Sequence, residues 1–354
     1  MTHAEIRALL NAPTKEERLL NLKKLIDSEE KAPEILSQFA NNHIHTDFSF
    51  SPYSPTAAVY FARAEGLNIA GIMDHDSIGG AEEFRKAGEI ANVATTCGFE
   101  ARVDYSGTFL ENTKLNNPDQ VGVGYMAFHS IRKEHFSAVQ DFLAPLRKKR
   151  NDRNFLMVKK ISEITGVPLD FEKEVLPLSR YAEGGSVTER HLLFALAGKM
   201  VTSDDELERY KLLGKLKAEL VPQFFIPAKE ELMDLDTAVD LAKQIDCILC
   251  YAYLGDVTNS PTGDKKAAVY EDAYLPELMN LLKERGVTGV TFMPSRNTDE
   301  QLMRVMSLCD QNGLAQISGE DVNALGQSFI CKKLEDPACA HLVKNAWKLI
   351  EREK

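Results

Sequence analysis

The pattern of apolar and polar residues divides the chain into helical periods and short apolar runs. Thr14 and Glu17 have the spacing of a capping box, and leucines follow them at helical intervals, which predicts a helix near the start of the chain. From about residue 39, short apolar runs typical of buried strands alternate with helical patterns. This alternation predicts β/α units that build a mostly parallel sheet or barrel.

The alternating part of the chain has clear element boundaries. Ser54-Pro55 opens a helix that Gly66 closes, and a helix capped by Thr298 ends at Gly313. The other predicted elements are strands 42–45, 67–73, 94–99, 247–253, 287–292 and 314–318, and helices 81–90, 237–244 and 278–285.

The alternation stops between about His129 and Asp236, where strand signals are few. Helices are predicted there over 136–164 and 189–200, so we interpret this stretch as a helical insertion. We therefore expect four parts in the chain. They are an amino-terminal helical segment (1–38), a first barrel part (39–130), the insertion (131–235), and a second barrel part with a carboxy-terminal helix (236–354).

Composition narrows the class of protein. The chain has 354 residues, 44% of them hydrophobic, and a formal charge of -11, which argues against non-specific nucleic-acid binding over its whole surface. Its first residues lack the basic and apolar parts of a signal peptide and no apolar run is long enough to cross a membrane, so we expect a cytoplasmic protein without membrane contact. Cys247 and Cys250 form a C-x-x-C pair, which we interpret as small buried core residues rather than a zinc or redox site.

Metal-ligating residue types recur at the ends of the predicted strands. His43 and His45 are one residue apart, so on an extended segment both point the same way and can hold one ion. Asp74 with His75, then Glu100, and finally Asp321 follow other strands. Because the carboxyl ends of barrel strands meet on one face, we expect these side chains to form a metal site.

These motifs resemble those of the PHP (polymerase and histidinol phosphatase) family. The matching segments are His43-Ile44-His45-Thr46, the stretch 70–76 ending in Asp-His-Asp, Gly98-Phe99-Glu100, and the late Asp321. The resemblance covers about 40–130 and 235–330. It implies an α/β fold, a distorted TIM-like β/α barrel, with a helical insertion as in the nucleotide-phosphatase branch, and metal-dependent phosphoesterase activity.

The chain departs from the family pattern at several ligand positions. Phe50 stands where an Asp is usual, and Asn323 stands where the late motif has a His. The strand that usually ends in Ala-His-Pro carries Tyr251 and Tyr253 instead, and no histidine occurs in 120–125. Ligands of the second and third ions are therefore missing.

The remaining residues provide nearly one complete site. We expect His43, His45, Glu100 and Asp321 to bind the metal, with His75 as a further ligand or a phosphate contact. Their mixed nitrogen and oxygen donors suit Zn, Mn or Fe, as one or two ions. Two other residues are expected to take part in catalysis: Asp74 by orienting a histidine and Arg296 as a substrate clamp, although Arg296 could equally be a solvated loop charge. Glu320 and Asn323 flank the site as weak substitutes.

Other charged and polar residues allow two interpretations each. His129 is a replacement ligand or, more plainly, a structural histidine. Arg190-His191 either binds phosphate or belongs to an ordinary amphipathic helix. The basic run 147–150 with Arg153 either steers anionic substrates or, the interpretation we favour, forms a solvated helix face.

The favoured function is hydrolysis of a phosphate monoester by metal-activated water. Its substrate is expected to be a small phosphorylated molecule, such as a sugar phosphate or nucleotide, with a nucleic-acid end as another possibility. A second hypothesis is a degenerate barrel that binds a metal or ligand without turnover. A third, an amidohydrolase, needs two more histidines at strand ends, and 236–330 contains none. The sequence does not indicate the oligomeric state.

Overall fold

The computed structural model describes residues 1–117, 119–201, 206–256 and 269–354. Its helices are α1 (His3–Leu10), α2 (Lys15–Asp27), α3 (Pro55–Ala64), α4 (Ala81–Ala91), α5 (Phe136–Thr165), α6 (Glu189–Met200), α7 (Glu206–Phe224), α8 (Leu235–Gln244), α9 (Leu275–Arg285), α10 (Asp299–Asn312) and α11 (His341–Arg352). Its strands are β1 (Ala40–Ile44), β2 (Ile69–His75), β3 (Ala94–Asp104), β4 (Val123–His129), β5 (Met233–Asp234), β6 (Ile248–Tyr253), β7 (Gly289–Phe292) and β8 (Ala315–Ser318).

Seven of these strands form a nearly closed barrel in the order β1-β2-β3-β4-β6-β7-β8, and the short β5 pairs with the end of β3. All neighbours in the barrel are parallel except β4, which runs antiparallel to β3 and β6. The gap between β8 and β1 is bridged by two backbone hydrogen bonds. The amide of His45 donates to the carbonyl of Val322 (3.0 Å), and the amide of Val322 donates to the carbonyl of His43 (3.2 Å). The expected distorted β/α barrel is therefore confirmed.

The helix boundaries follow the signals in the sequence. Thr14 and Glu17 form the capping box of α2, and Thr298 and Gln301 form that of α10. Ser54 accepts a hydrogen bond from the third residue of α3, which begins at a proline.

Two strand predictions need correction. Strand β4 was not predicted, because the glycines at 122 and 124 weaken its strand signal. Strand β3 continues to Asp104, so Glu100 lies within a strand and not at its end. The prediction ended β3 early because Glu100 and Arg102 are charged, yet alternation places them on one face of the sheet while Ala101 and Val103 face the other.

Small apolar side chains fill the lower part of the barrel. Met73, Ala127, Cys250 and Ile317 form one cluster, and Leu349 of α11 packs against them. All six cysteines are buried and unpaired, and burial raises the pKa of Cys247 to about 12. The C-x-x-C pair is therefore part of the core, as predicted.

Helices α5, α6 and α7 form the predicted helical insertion and build a hydrophobic cluster of their own. Phe50, from the loop after β1, joins that cluster. The four-part division of the chain stays a prediction, because the structure does not test its boundaries. None of the described helices is long and apolar enough to cross a membrane.

Candidate metal centre

His43, His45 and Glu100 come together at the mouth of the barrel. One possible ligand atom from each lies within 4.8 Å of the others, and all three residues are buried. His43 belongs to β1 and His45 follows it, so their spacing sends both imidazoles to the same side. Glu100 reaches them from β3, because it is paired in register with His75 on the intervening strand β2.

His75 and Asp321 complete the group. The Nδ1 atom of His75 lies 3.1 Å from Oε2 of Glu100, and Nε2 of His43 lies 3.8 Å from the same oxygen. The Nε2 atom of His45 lies 3.3 Å from Oδ1 of Asp321, in the loop after β8. The structure thus brings together all five residues expected to bind metal.

A chain of hydrogen bonds fixes the orientation of His45. The hydroxyl of Ser49 donates to Oδ1 of Asp74 (2.7 Å), so it is left to accept from Nδ1 of His45, 3.3 Å away. Asp74 is itself buried and accepts the amide (2.7 Å) and hydroxyl (2.6 Å) of Thr46. Asp74 therefore acts on His45 through Ser49 and lies behind the candidate ligands.

This arrangement suits a bound cation. With its proton on Nδ1, His45 presents the Nε2 lone pair towards an Asp321 oxygen, and two acceptors face each other. Burial lowers the pKa of His45 well below its ordinary value, which opposes resolving the conflict with a second proton. A divalent ion held by His43, His45, Glu100 and Asp321 would resolve it, and these donors suit Zn, Mn or Fe.

The surroundings of Asp321 favour its ionised form. Burial raises the pKa of this carboxyl, but nearby positive charge, including that of Arg296 and Arg190, outweighs the effect and leaves the pKa below its ordinary value. Nη1 of Arg296 lies 3.6 Å from Asp321. The side chain of Arg296 is only 13% exposed, so it is not a solvated loop charge; its expected role as a substrate clamp stays a prediction.

The departures from the family pattern have defined places in the structure. Asn323 donates its amide hydrogen to Asp321 and so supports a ligand. Phe50 packs edge-on against His191, with ring centroids 4.9 Å apart. Glu320 accepts from the amide of Ser295 (3.0 Å), which ties its carboxylate to the loop after β7.

The tyrosines of β6 do not replace the missing histidine. Ala252 is the inward residue at the top of β6, because Cys250, two residues earlier, faces the barrel interior. Tyr251 and Tyr253 face the outer core, and Tyr253 donates its hydroxyl hydrogen to Asp272 (2.6 Å). In sequence, Tyr251 and Tyr253 lie nearest to the position of the missing histidine. Strand alternation nevertheless turns both side chains away from the site.

A cavity of ≈ 90 Å³ opens beside the candidate metal ligands, between the barrel and the insertion. A buried water needs roughly 10–15 Å³ by this measure, so the cavity has room for a group larger than a few waters. His45, His75 and Asn323 line it from the barrel side, and Arg190 and Lys217 line it from the insertion side.

Arg190 and Lys217 bring positive charge to the insertion side of the cavity. The guanidinium of Arg190 lies over the ring of Phe50, 5.2 Å from its centroid, and its buried Nε atom has no hydrogen-bond partner there. Neither side chain forms an ion pair with a carboxylate in the described part of the chain. The cavity therefore presents these two cations to any occupant, together with the carboxylates of Asp119 and Glu189.

The two remaining histidines of the sequence analysis are placed differently. His191 turns back and accepts the amide hydrogen of Thr188 at the start of α6 (3.0 Å), so it caps the helix while Arg190 lines the cavity. His129 is buried in the barrel beside Gly98 and outside the candidate ligand group. Burial lowers the pKa of each imidazole to about 3.

The basic run on α5 is not a solvated face, which corrects the interpretation we favoured. Arg147, Arg150 and Arg153 are at most 6% exposed, whereas the lysines at 148 and 149 are exposed. The three arginines face the barrel and bond to Asp76, Glu189 and Glu231. The arginines recur at a helical spacing of three and share the buried face of α5, whereas the lysines between them lie on the exposed face. Because the charged residues are consecutive in sequence, this difference was overlooked.

Three residues of the site were not found from the sequence. Tyr125 of β4 has its ring centroid 5.6 Å from that of His75 and lines the cavity. Lys217 lies on α7, which carries several lysines, and nothing in the sequence distinguishes it from the others. Ser49 stood within the first motif, and its polar type at a fixed distance from His45 was a usable signal.

Comparison of the sequence with known proteins finds a distant relative. No family model matches the chain. A 5'-3' exoribonuclease of Haemophilus influenzae is 26% identical over 200 residues, which are 56% of this chain and 62% of that protein. The chain thus matches less than two thirds of that relative's length.

Two solved structures share the fold. A candidate metal-dependent phosphoesterase from Bifidobacterium adolescentis superposes with a TM-score of 0.62 at 19% identity, over 88% of this chain and 98% of that one. An amidohydrolase from Chromobacterium violaceum, with bound sulfate and no metal, gives a TM-score of 0.58 at 17% identity, over 82% and 89%. At these identities the likeness shows the barrel fold alone.

Proposed function

We propose that the protein is a metal-dependent hydrolase of phosphate monoesters, a member of the PHP class of barrels. The observation that carries the proposal is the cavity shared by His45, His75, Arg190 and Lys217. It has candidate metal-ligand side chains on one wall and, on the other, two cations that form no ion pair in the described part of the chain. A phosphate ester suits both walls, because its oxygens bind a divalent ion and accept hydrogen bonds from guanidinium and ammonium groups.

The chain's own residues have distinct parts in this reaction. His43, His45, Glu100 and Asp321 would hold an ion, and His75 would hold a second ion or contact the phosphate. When bound, such ions lower the pKa of coordinated water and stabilise negative charge on the phosphoryl group. Arg190 and Lys217 would bind the phosphate oxygens, and the ring of Phe50 packs against the guanidinium of Arg190.

The comparisons support the broader class of metal-dependent hydrolases, because one neighbour of this fold is a candidate phosphoesterase and the other is an amidohydrolase. The Bifidobacterium protein with this fold is a candidate phosphoesterase, and the Chromobacterium protein holds sulfate, which has the tetrahedral shape of phosphate. The Haemophilus relative is an exoribonuclease, so a nucleotide or nucleic-acid end belongs in the substrate panel beside sugar phosphates.

The test is phosphate release by purified protein supplied with Zn, Mn or Fe and a panel of monoesters. We expect turnover of at least one ester and its loss in Glu100→Gln, since removing a charge-bearing ligand abolishes a metal site. Glu300→Gln, at an exposed position on α10, is the control and should keep full activity. Absence of turnover with every metal, or activity indifferent to Glu100→Gln, would refute the proposal.

A second candidate is a barrel that binds metal without turnover. Phe50 and Ala252 favour it, because they occupy positions where a second or third ion would need ligands. The two candidates are separated by titrating the same protein with Mn²⁺. Stoichiometric binding without hydrolysis of any ester would favour the second.

A further inference from the structure

Arg150 links the two walls of the cavity. It lies on α5, is 4% exposed, and spreads its guanidinium between two carboxylates from different parts of the chain. Its Nη1 donates to Oδ2 of Asp76 (2.5 Å) and its Nη2 donates to Oε2 of Glu189 (2.9 Å).

Asp76 belongs to the metal side of the cavity. It directly follows His75, and its amide donates to the carbonyl of Glu100 (2.8 Å). Its backbone is left-handed (φ 49°), a conformation that is uncommon for residues with a side chain, although Asp adopts it more readily than most. The grip of Arg150 on the carboxylate of Asp76 therefore acts on the backbone that carries His75.

Glu189 belongs to the anion side. It is the first residue of α6 and directly precedes Arg190. Arg153 also binds it (2.8 Å), and Arg102 of β3 approaches it at 3.8 Å. Burial raises the pKa of Glu189, but these three arginines together hold it well below its ordinary value.

The fork of Arg150 is what makes the link possible. A guanidinium presents fixed donors in two directions, whereas an ammonium is a single point charge. A lysine at position 150 would keep the charge but hold only one carboxylate with proper geometry.

We propose that Arg150 is a positioning residue that sets the placement of His75, a candidate metal ligand, against Arg190, the proposed phosphate-binding residue. The inference rests on the proposed function for the roles of those two residues. Arg150 lines the cavity, but both of its Nη atoms are bonded to Asp76 and Glu189, so we assign it no contact with substrate. Its effect passes through Asp76 on one side and Glu189 on the other.

The experiment compares Arg150→Lys with Arg153→Lys by calorimetric titration with Mn²⁺, and then of the Mn²⁺-loaded protein with inorganic phosphate. Arg153 is a matched control, because it lies one turn away at 6% exposure and binds Glu189 but not Asp76. We expect Arg150→Lys to weaken Mn²⁺ binding about tenfold, by analogy with losses of outer-shell partners. Arg153→Lys should leave Mn²⁺ binding unchanged and weaken only phosphate binding.

Asp76→Asn keeps the test decisive if Arg150→Lys folds poorly. It removes one partner of the same contact, so its loss of Mn²⁺ affinity should match that of Arg150→Lys, and the double variant should lose no more than either alone. Equal effects of Arg150→Lys and Arg153→Lys on Mn²⁺ affinity, at equal loss of melting temperature, would overturn the inference and leave Arg150 a structural residue.

The outcomes also separate this inference from the proposed function. Wild-type protein that binds Mn²⁺ and phosphate but hydrolyses no ester would refute the enzyme and leave the comparison of the two arginines decisive. Wild-type protein that binds neither ligand would refute both.

Discussion

At the scale of single residues, the hydrogen-bond chain Asp74–Ser49–His45 decides what the site can bind. Ser49 donates its only hydroxyl hydrogen to Asp74, so it must accept a hydrogen bond from His45. His45 therefore carries its proton on Nδ1, and the lone pair of its Nε2 points towards Asp321. Outer partners of this kind fix the tautomer of a metal-bound imidazole. The identity of one small residue therefore bears on the affinity of the whole centre.

Replacing Ser49 with Ala should lower the affinity for Zn²⁺ or Mn²⁺ by roughly 10–100-fold, the usual effect of losing such a partner. Calorimetric titration measures it. Ser51→Ala is a matched control, because it removes a hydroxyl two residues away that only accepts a long bond (3.4 Å) from the amide of Tyr53. Equal affinities in the two variants would show that Ser49 does not orient His45.

The sequence was informative at this scale where motif and strand period coincide. His43 and His45 were predicted as ligands from their spacing of two, and Glu100 and Asp321 because each follows a predicted strand. Residues whose role depends on the opposite wall, such as Lys217, gave no signal, because their partners are distant in sequence. Tyr251 and Tyr253 show the same limit, since only the pairing of β6 with its neighbours reveals which residue faces inward.

At the scale of elements, α11 closes the lower end of the barrel and brings a carboxyl group with it. Glu353, just after α11, accepts the amide of Cys97 on β3 (2.8 Å), and burial raises its pKa to about 8. An unfolded glutamate titrates near pH 4.3, so between about pH 4.5 and 8 the folded protein binds more protons than the unfolded chain. This group's contribution to stability therefore falls as pH rises through that window.

Replacing Glu353 with Gln should remove that pH dependence while keeping an acceptor for Cys97. We expect the melting temperature of the wild type to fall relative to that of Glu353→Gln as pH rises from about 5 to 8. The difference in unfolding free energy can grow by at most about 1.4 kcal/mol per pH unit. Thermal melts at several pH values measure it, and parallel curves for the two proteins would contradict the pKa of Glu353.

Element boundaries were predictable where capping chemistry is local, as at Thr14, Ser54 and Thr298. Strand β4 was missed because glycines interrupt it and because its partners, β3 and β6, flank the insertion. Its antiparallel direction could not come from a local pattern either. It follows from where the chain leaves and re-enters the barrel.

At the scale of the whole molecule, the insertion completes the cavity that the barrel begins. Arg147 and Arg150 of α5 bind Asp76 of the barrel, and Arg102 of β3 pairs with Glu189 and Glu231 of the insertion. Arg190 and Lys217 then face His45 and His75. Buried pairs of this kind cost much desolvation, so they are better explained by placing one part against another than by stability alone.

Replacing Arg190 with Met should raise KM for a phosphate monoester about tenfold or more, because a charge-assisted hydrogen bond to the substrate is lost. Arg209→Met is the matched control. Arg209 also lies over an aromatic ring in the insertion, 3.6 Å from the centroid of Phe194, but does not line the cavity. Steady-state kinetics would contradict the assigned role if both variants changed KM alike.

The central claim is that four side chains from three separate segments hold one ion at the barrel mouth. Anomalous scattering at the zinc edge, from crystals grown with Zn²⁺, tests it most directly. The account predicts a peak about 2.0–2.2 Å from ligand atoms of His43, His45, Glu100 and Asp321. Crystals that show zinc only elsewhere, with these four side chains still apart from any ion, would contradict it.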